Sequence, residues 1–392
     1  MSISPVQRES YDVIVVGARC AGAATAMLLA SEGLQVLAID GGRYGTDTLS
    51  THALMRCGVL QLHRWGILDA VRSAGTPTVR TTSFHYGDEV AEVEIQPRDG
   101  VDGLYAPRRT LIDKLLVDAA RQSGAEVVYG AKLIELLRSD DGRASGIVLK
   151  DPEGGVFQAR AGLVIGADGM RSTVASLVGA EPYATARHTT AVVFSYWSDT
   201  ELAGYHWYYR PGVSAGAIAT NDGLACVFAA VPPKRFREEI RLDVAAGYRR
   251  VLEECGANLA AAIDGGHRAE KYRGFPGRVG YFRQSWGPGW ALVGDAGYFK
   301  DPLTAHGMTD ALIDAEFLAR AVVKGSDRDL ADYQRTRDNR ARALFEATDA
   351  IASFDWDLTT VQDLHLSLSK ATKHETAQLL ELHRTPWPRG TR

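Results

Sequence analysis

The sequence is short of cysteine, of long apolar runs and of surplus positive charge, and each shortage removes a class of protein. Its four cysteines, Cys20, Cys57, Cys226 and Cys255, include no C-x-x-C pair. That excludes the disulfide and zinc frameworks legible from spacing, and predicts reduced, mostly buried thiols in a cytoplasmic protein with no metal site. No stretch is apolar over the length a bilayer requires, and the residues before Tyr11 lack the pattern of a signal peptide, so no membrane span is expected. With 44 Lys+Arg against 48 Asp+Glu, the net charge of −4 leaves no footprint for nucleic acid. Repeats and low-complexity segments are absent, and no lysine occurs before Lys114. What remains is an ordinary globular composition: 392 residues, 45% hydrophobic and 23% charged, enough for one large or two intimately packed domains.

The organising stretch is Tyr11-Asp-Val-Ile-Val-Val-Gly17-Ala-Arg-Cys-Ala-Gly22, followed by an alanine-rich run and then Val36-Leu-Ala-Ile-Asp40. An apolar β-branched run enters a glycine turn, the turn opens a helix, and a second apolar run ends in an acid. This is the strand–turn–helix–strand unit that holds a dinucleotide. Gly17 permits the tight turn, the first helical N–H groups and the helix dipole favour a pyrophosphate, and Gly22 lets helix and strand approach closely. Asp40 ends the second strand where an acid accepts hydrogen bonds from a ribose. Arg19 stands where a second glycine is usual, so its side chain either points outward or touches a phosphate itself. Gly41 and Arg43 follow Asp40 beside the same phosphates, and His52 ends the loop with a place near the ligand or a role in stabilising the turn.

Farther along, the pattern predicts a helix over 53–66, short antiparallel strands over 78–105, and an amphipathic helix from Pro107 to Ala120 that ends at Gly124. Hairpin turns fall near Asp140-Asp-Gly142 and Asp151-Pro-Glu-Gly-Gly155. Gly166-Ala-Asp168-Gly169 closes a buried strand before a short helix from Thr173 to Leu177. Aromatics then crowd into Phe194-Ser-Tyr196-Trp and Tyr205-His206-Trp207-Tyr208-Tyr-Arg-Pro211, read as a mixed sheet on the substrate side with one helix over 245–255 and a loop at Gly265-Gly266. After Trp290-Ala-Leu-Val-Gly294-Asp295 and a loop through Pro302, a long helix starts at about Met308. From Leu330 onward the chain reads as three helices, the second over 347–357 and the third over 360–382.

Three separated motifs in fixed order thus coincide: the N-terminal βαβ unit, Gly166-Ala-Asp168-Gly169, and Gly294-Asp295-Ala with Pro302 beyond it. Together they resemble the FAD-dependent enzymes of the para-hydroxybenzoate hydroxylase fold, the group A flavoprotein monooxygenases and their relatives, from about Tyr11 to Arg342. The resemblance implies an α/β fold with a Rossmann-like FAD-binding domain in three parts (1–77, 106–183 and 285–328). It implies an interleaved mixed-sheet substrate domain (78–105 and 184–284) and a helical C-terminal segment (329–392). It places the ADP half of FAD on Gly17, Gly22 and Asp40, Arg56 at the pyrophosphate or ribityl chain, and Arg109 near the flavin. Asp168 and Gly169 match a motif associated with FAD and with NAD(P)H, Asp295 would bind the ribityl hydroxyls, and Pro302, Gly307 and Met308 would edge the ring. The sequence departs from the family at Ala305, Thr309 and Tyr298, where Gly, Asn and His are frequent.

The resemblance implies an enzyme that takes hydride from NADPH or NADH and hydroxylates an electron-rich aromatic or other apolar small molecule with O₂, through a flavin hydroperoxide that water must not reach. His306, His52 and Pro302 are the candidates for contact with the reacting atoms, and Tyr196, His206, Trp207 and Tyr208 for the substrate wall. The chain is expected to act as a monomer or homodimer. A reductase of the geranylgeranyl type, saturating double bonds, is the alternative. A flavin halogenase ranks lower, because its lysine beside the oxidant route has no counterpart in a sequence without lysine before Lys114.

Overall fold

The computed structural model describes residues 6–200 and 202–388. Its centre is a largely parallel sheet in which the first strand, Ser10–Val16, lies between Val36–Asp40 and Val156–Gly166. Glu126–Tyr129 extends one side, and Trp290–Leu292 extends the other, also in parallel register. Ile14 and Val15 are fully buried, as the middle of a sheet covered on both faces demands, which is why the sequence runs apolar there instead of alternating. Antiparallel strands Ala144–Lys150 and Lys132–Arg138 widen the sheet beyond Val156–Gly166. Because the central strands run the same way, the turns at Gly17, Ala167 and Gly294 all open at one end of the sheet. A ligand crevice forms at such carboxyl ends.

The helix Cys20–Ser31 is Ala- and Gly-rich and buried almost all round. It packs against the helices Gly307–Lys324 and Arg109–Gln122. A Cβ at Gly22 would stand 1.8 Å from the carbonyl oxygen of Gly17, and a Cβ at Gly17 2.4 Å from that of Ala167. Missing side chains therefore bring the helix N-terminus down onto the strand ends.

A second, mixed sheet runs in the order His267–Arg268, Ala191–Ser198, Ala225–Val231, Val213–Ala219, Tyr205–Arg210, Thr81–Tyr86 and Glu89–Glu94. Helices Val244–Cys255 and Ala257–Gly265 cover one face. Alternation along Tyr205–Arg210 sends Tyr205, Trp207 and Tyr209 to the opposite face and Tyr208 toward the helices. The second of those helices is a departure from the sequence reading, which took Gly265-Gly266 as loop: Leu259, Ala260 and Ile263 supply an apolar stripe too short to stand out.

Among its described residues the C-terminal segment contains two helices, not three. Asp327–Ala352 runs unbroken through the first half of the expected middle helix, and Leu358–Arg384 follows a bend. Val361 packs under the second sheet and Leu379 in the core of the first, so the last helix ties the two cores together. Beneath it Arg340, fully buried, pairs with Glu375 and, at 2.5 Å, with Asp314. No described helix is long and apolar enough to cross a membrane.

Gly22→Ala is expected to lower unfolding free energy by about 3 kcal/mol or more, because the added methyl meets backbone that cannot yield. Gly265→Ala, where a Cβ meets nothing within 4 Å, should stay within about 0.5 kcal/mol of the parent. Urea denaturation of both variants checks this; equal effects would contradict it.

Candidate active site

A cavity of about 720 Å³ opens where the two sheets meet. At one end it is lined by Gly17, Arg19, Asp40 and Gly41, in the middle by Arg109, Asp295, Gly307 and Met308, and at the far end by His52, Phe194, Trp207 and Phe228. The nucleotide end is braced by carboxylates. Asp40 accepts from the N–H groups of Ala18 (2.9 Å) and Gly42 (2.7 Å), so the acid that ends the second strand also fastens the glycine turn. Asp113, itself buried, accepts from Arg109 through two bonds of 3.0 Å, from Arg19 at 3.1 Å and from the Cys20 thiol at 3.1 Å. One carboxylate thus aligns two guanidinium groups along the cavity wall. Arg19 also reaches the Thr46 carbonyl oxygen at 3.2 Å.

Asp295 differs from these. Its carboxylate lines the cavity and forms no hydrogen bond among the described residues, and burial, then Asp310 nearby, push its carboxyl up to about 7. An acceptor held on a rigid strand end beside an open space suits the hydroxyls of a ribityl chain. Gly307, where a Cβ would meet nothing within 4 Å, opens the helix Gly307–Lys324 toward the same space. The donor set, the bare backbone and the length of the cavity fit FAD.

Pro302, Gly169 and Asp168 also line the cavity. The Asp168 oxygens are occupied internally, by the Ser172 hydroxyl at 2.5 Å and the N–H groups of Thr173 and Val174 at 2.6 and 3.2 Å, so the residue shapes the turn. Gly22 and Gly294 stand behind the wall; at Gly294, φ is +59° and a Cβ would lie 2.9 Å from that of Ala21. Ala305 holds φ +53°, the left-handed region that explains why glycine is frequent at this place in the resembling family. Thr309 accepts from the Met55 N–H at 3.0 Å, joining the first loop to the long helix.

Besides Gly22 and Gly294, six expected residues are not on the cavity wall. Arg43 is exposed on its loop. Arg56 donates to the carbonyl oxygens of Gln96 (2.5 Å) and Arg98 (3.5 Å), bracing a surface turn. His306 turns toward the last helix: Nδ1 bonds the Thr304 carbonyl at 2.5 Å and Nε2 meets the Thr372 hydroxyl at 3.5 Å, while burial pushes its pKa down to about 4. Strand alternation carries His206 and Tyr208 to the far side of the second sheet. There His206 bonds Ala203 and meets His85, and Tyr208 stacks on His85 at 4.0 Å. Tyr196 lies just behind the wall, its hydroxyl bonded to Nε2 of His52.

Sequence reasoning missed Asp113, although it follows Arg109 at the i,i+4 spacing of a helical ion pair. It also missed Phe228 and Phe275, whose approach to the cavity depends on which strands pair. Lys300, buried, is paired with Asp310 and lies 3.2 Å from the Tyr298 hydroxyl; nothing local marks it.

Comparison with known proteins agrees with this geometry. The family described as FAD binding domain matches residues 10–348. Aklavinone 12-hydroxylase RdmE of Streptomyces purpurascens is 29% identical over 227 residues, half of this chain but 41% of its own length. Digeranylgeranylglycerophospholipid reductase 1 of Methanopyrus kandleri is 27% identical over 366 residues, 87% of this chain and 90% of that protein. Among solved structures, PqsL of Pseudomonas aeruginosa, a probable FAD-dependent monooxygenase, superimposes with a TM-score of 0.75 at 20% identity, over 93% of this chain and all of that one. A variant of the halogenase PltM in complex with FAD superimposes with a TM-score of 0.78 at 17% identity, over 96% and 83% of the two chains. At these identities the structures speak for the fold alone.

The Asp295 carboxyl, raised from 3.8 to about 7, gives a pH prediction. In the apoprotein the folded state keeps a proton that the unfolded chain has released, so this group's contribution to stability declines as pH rises between those values. Asp295→Asn removes that decline. Its stability relative to the parent should increase over the same window in urea titrations; a difference independent of pH would contradict the assignment.

Proposed function

Because the chain belongs to the FAD binding domain family of flavin-dependent oxidoreductases, we propose that it is an NAD(P)H-driven monooxygenase hydroxylating an electron-rich aromatic or other apolar small molecule. The observation that carries this reading is the continuity of the cavity. A nucleotide end of glycine and fixed charge passes, without a wall between, into a chamber of Phe194, Trp207, Phe228 and Phe275. FAD, when bound, supplies a hydride acceptor and a centre at which O₂ is activated. The chain's own residues do the rest. Gly17, Asp40 and Arg19 hold the ADP half, while Asp295 and the N-terminus of Gly307–Lys324 hold the ribityl and ring end. Pro302 and Met308 edge the ring, and the aromatic walls keep water from the reacting atoms and orient the substrate. His52 is a polar side chain of the chamber wall, kept neutral by burial and by Arg108, Arg109 and Arg273.

A second reading rests on the reductase relative, which spans 87% of this chain where the hydroxylase spans half. Double-bond saturation uses the same hydride and the same dry chamber, and consumes no oxygen.

Two assays separate these. Anaerobic addition of NADPH or NADH should bleach the flavin, and readmitted air should give substrate-dependent O₂ uptake with one oxygen atom in the product. A saturated product formed without air would overturn hydroxylation in favour of reduction.

A further inference from the structure

We propose that the chamber selects an uncharged aromatic compound bearing a hydrogen-bond-accepting oxygen, and that His52 holds this oxygen through its Nδ1–H. The inference rests on the chamber's being the substrate site, and it adds the charge and the polar group of what enters.

Charge comes first. The chamber wall consists of Val192, Phe194, Trp207, Phe228, Phe275 and Leu303, with no ionised side chain among them. The cations nearest to it are already matched. Lys300 pairs with Asp310 and Arg109 with Asp113. Behind Tyr196, Arg108 and Arg273 share Asp47 and Glu270 at 2.6 to 3.1 Å. A carboxylate ligand would lose its hydration and find no free positive charge in exchange.

The polar group comes second. His52 lines the cavity, is 1% exposed, and has no partner at Nδ1 among the described residues. Its Nε2 meets the Tyr196 hydroxyl, which has no other partner among the described residues. If Nε2–H donated, the Tyr196 proton and the Nδ1 lone pair would both be buried without partners, whereas with Tyr196 donating only the Nδ1–H lacks one. The pattern therefore assigns Tyr196 as donor to Nε2 and leaves the imidazole proton on Nδ1. The Arg108 guanidinium, 3.8 Å over the Tyr196 ring, strengthens that phenol as a donor. His52 is held at φ +68°, so backbone strain fixes a residue whose one unused hydrogen-bonding atom is a buried donor. An acceptor oxygen on the ligand satisfies it.

Titration of the FAD-loaded protein, followed by flavin absorbance, tests this with three probes of similar size: 1-tetralone, tetralin and 1-naphthoate. Tetralone should bind about tenfold more tightly than tetralin, and naphthoate more weakly than either. His52→Gly, which accepts the positive φ, should erase the advantage of tetralone while leaving tetralin within about twofold, and His52→Asn, which tolerates the same backbone and keeps an N–H, should restore part of it. Tyr196→Phe releases the tautomer and should reduce the advantage without removing His52. Naphthoate binding as tightly as tetralone, or an advantage that survives His52→Gly, would overturn the proposal. Binding needs no turnover: if this pattern holds while oxygen-coupled hydroxylation is absent, the reaction assigned above falls and the ligand class stands.

Discussion

The structure depends on one close approach. With no Cβ on Gly17 or Gly22, the helix Cys20–Ser31 comes into direct contact with the end of the first strand and with the Ala167 turn. Its N-terminal N–H groups then face the crevice at the carboxyl ends of the parallel strands, where a pyrophosphate is favoured by unsatisfied donors and helix dipole together. Gly294 repeats the device at the same end of this helix, against Ala21, and admits the strand end that carries Asp295. If any of these glycines carried a side chain, the two halves of the cavity would not align.

Charge is then arranged around that backbone. Asp113 collects Arg19, Arg109 and Cys20 from two helices and the turn between strand and helix, so the cationic wall of the nucleotide end is rigid before anything binds. Lys300–Asp310 ties the long helix Gly307–Lys324 to the loop that precedes it, and the Arg340 cluster with Asp314 and Glu375 fixes the same helix against the C-terminal helices. Buried ion pairs of this kind contribute little net stability but penalise any other arrangement, since breaking one strands a charge. Among the carboxylates of the described wall, Asp295 alone keeps its acceptors open.

The parallel sheet, its glycine turns and the convergence of Gly17, Arg19, Asp40 and Gly41 on one cavity were legible in the sequence, because strand, turn, helix and acid are adjacent in the chain and each constrains the next. The expected residues that lie off the cavity wall share a different property. The expectation for His206 and Tyr208 required knowing which face of Tyr205–Arg210 meets the cavity, and a period of two fixes alternation without fixing the face. His306 sits beside Pro302 and Gly307 in sequence, yet the left-handed turn at Ala305 swings its ring toward the last helix. Arg56 lies near the loop but at a helix start that faces the 96–98 turn. Conversely, the pairing of His52 with Tyr196 joins residues 144 positions apart, and no local pattern announces it. The C-terminal helices were misdivided because Ser353 and Phe354, where the chain bends, carry neither glycine nor proline.

Each of these roles at the cavity requires FAD in the crevice. The direct measurement is reconstitution of the purified apoprotein with FAD, followed by desalting and by absorbance and mass analysis of what stays bound, in the parent and in a Gly22→Ala and Asp295→Asn pair. The account predicts an equimolar yellow complex for the parent and weaker retention in both variants. A colourless parent that takes up no FAD would contradict it.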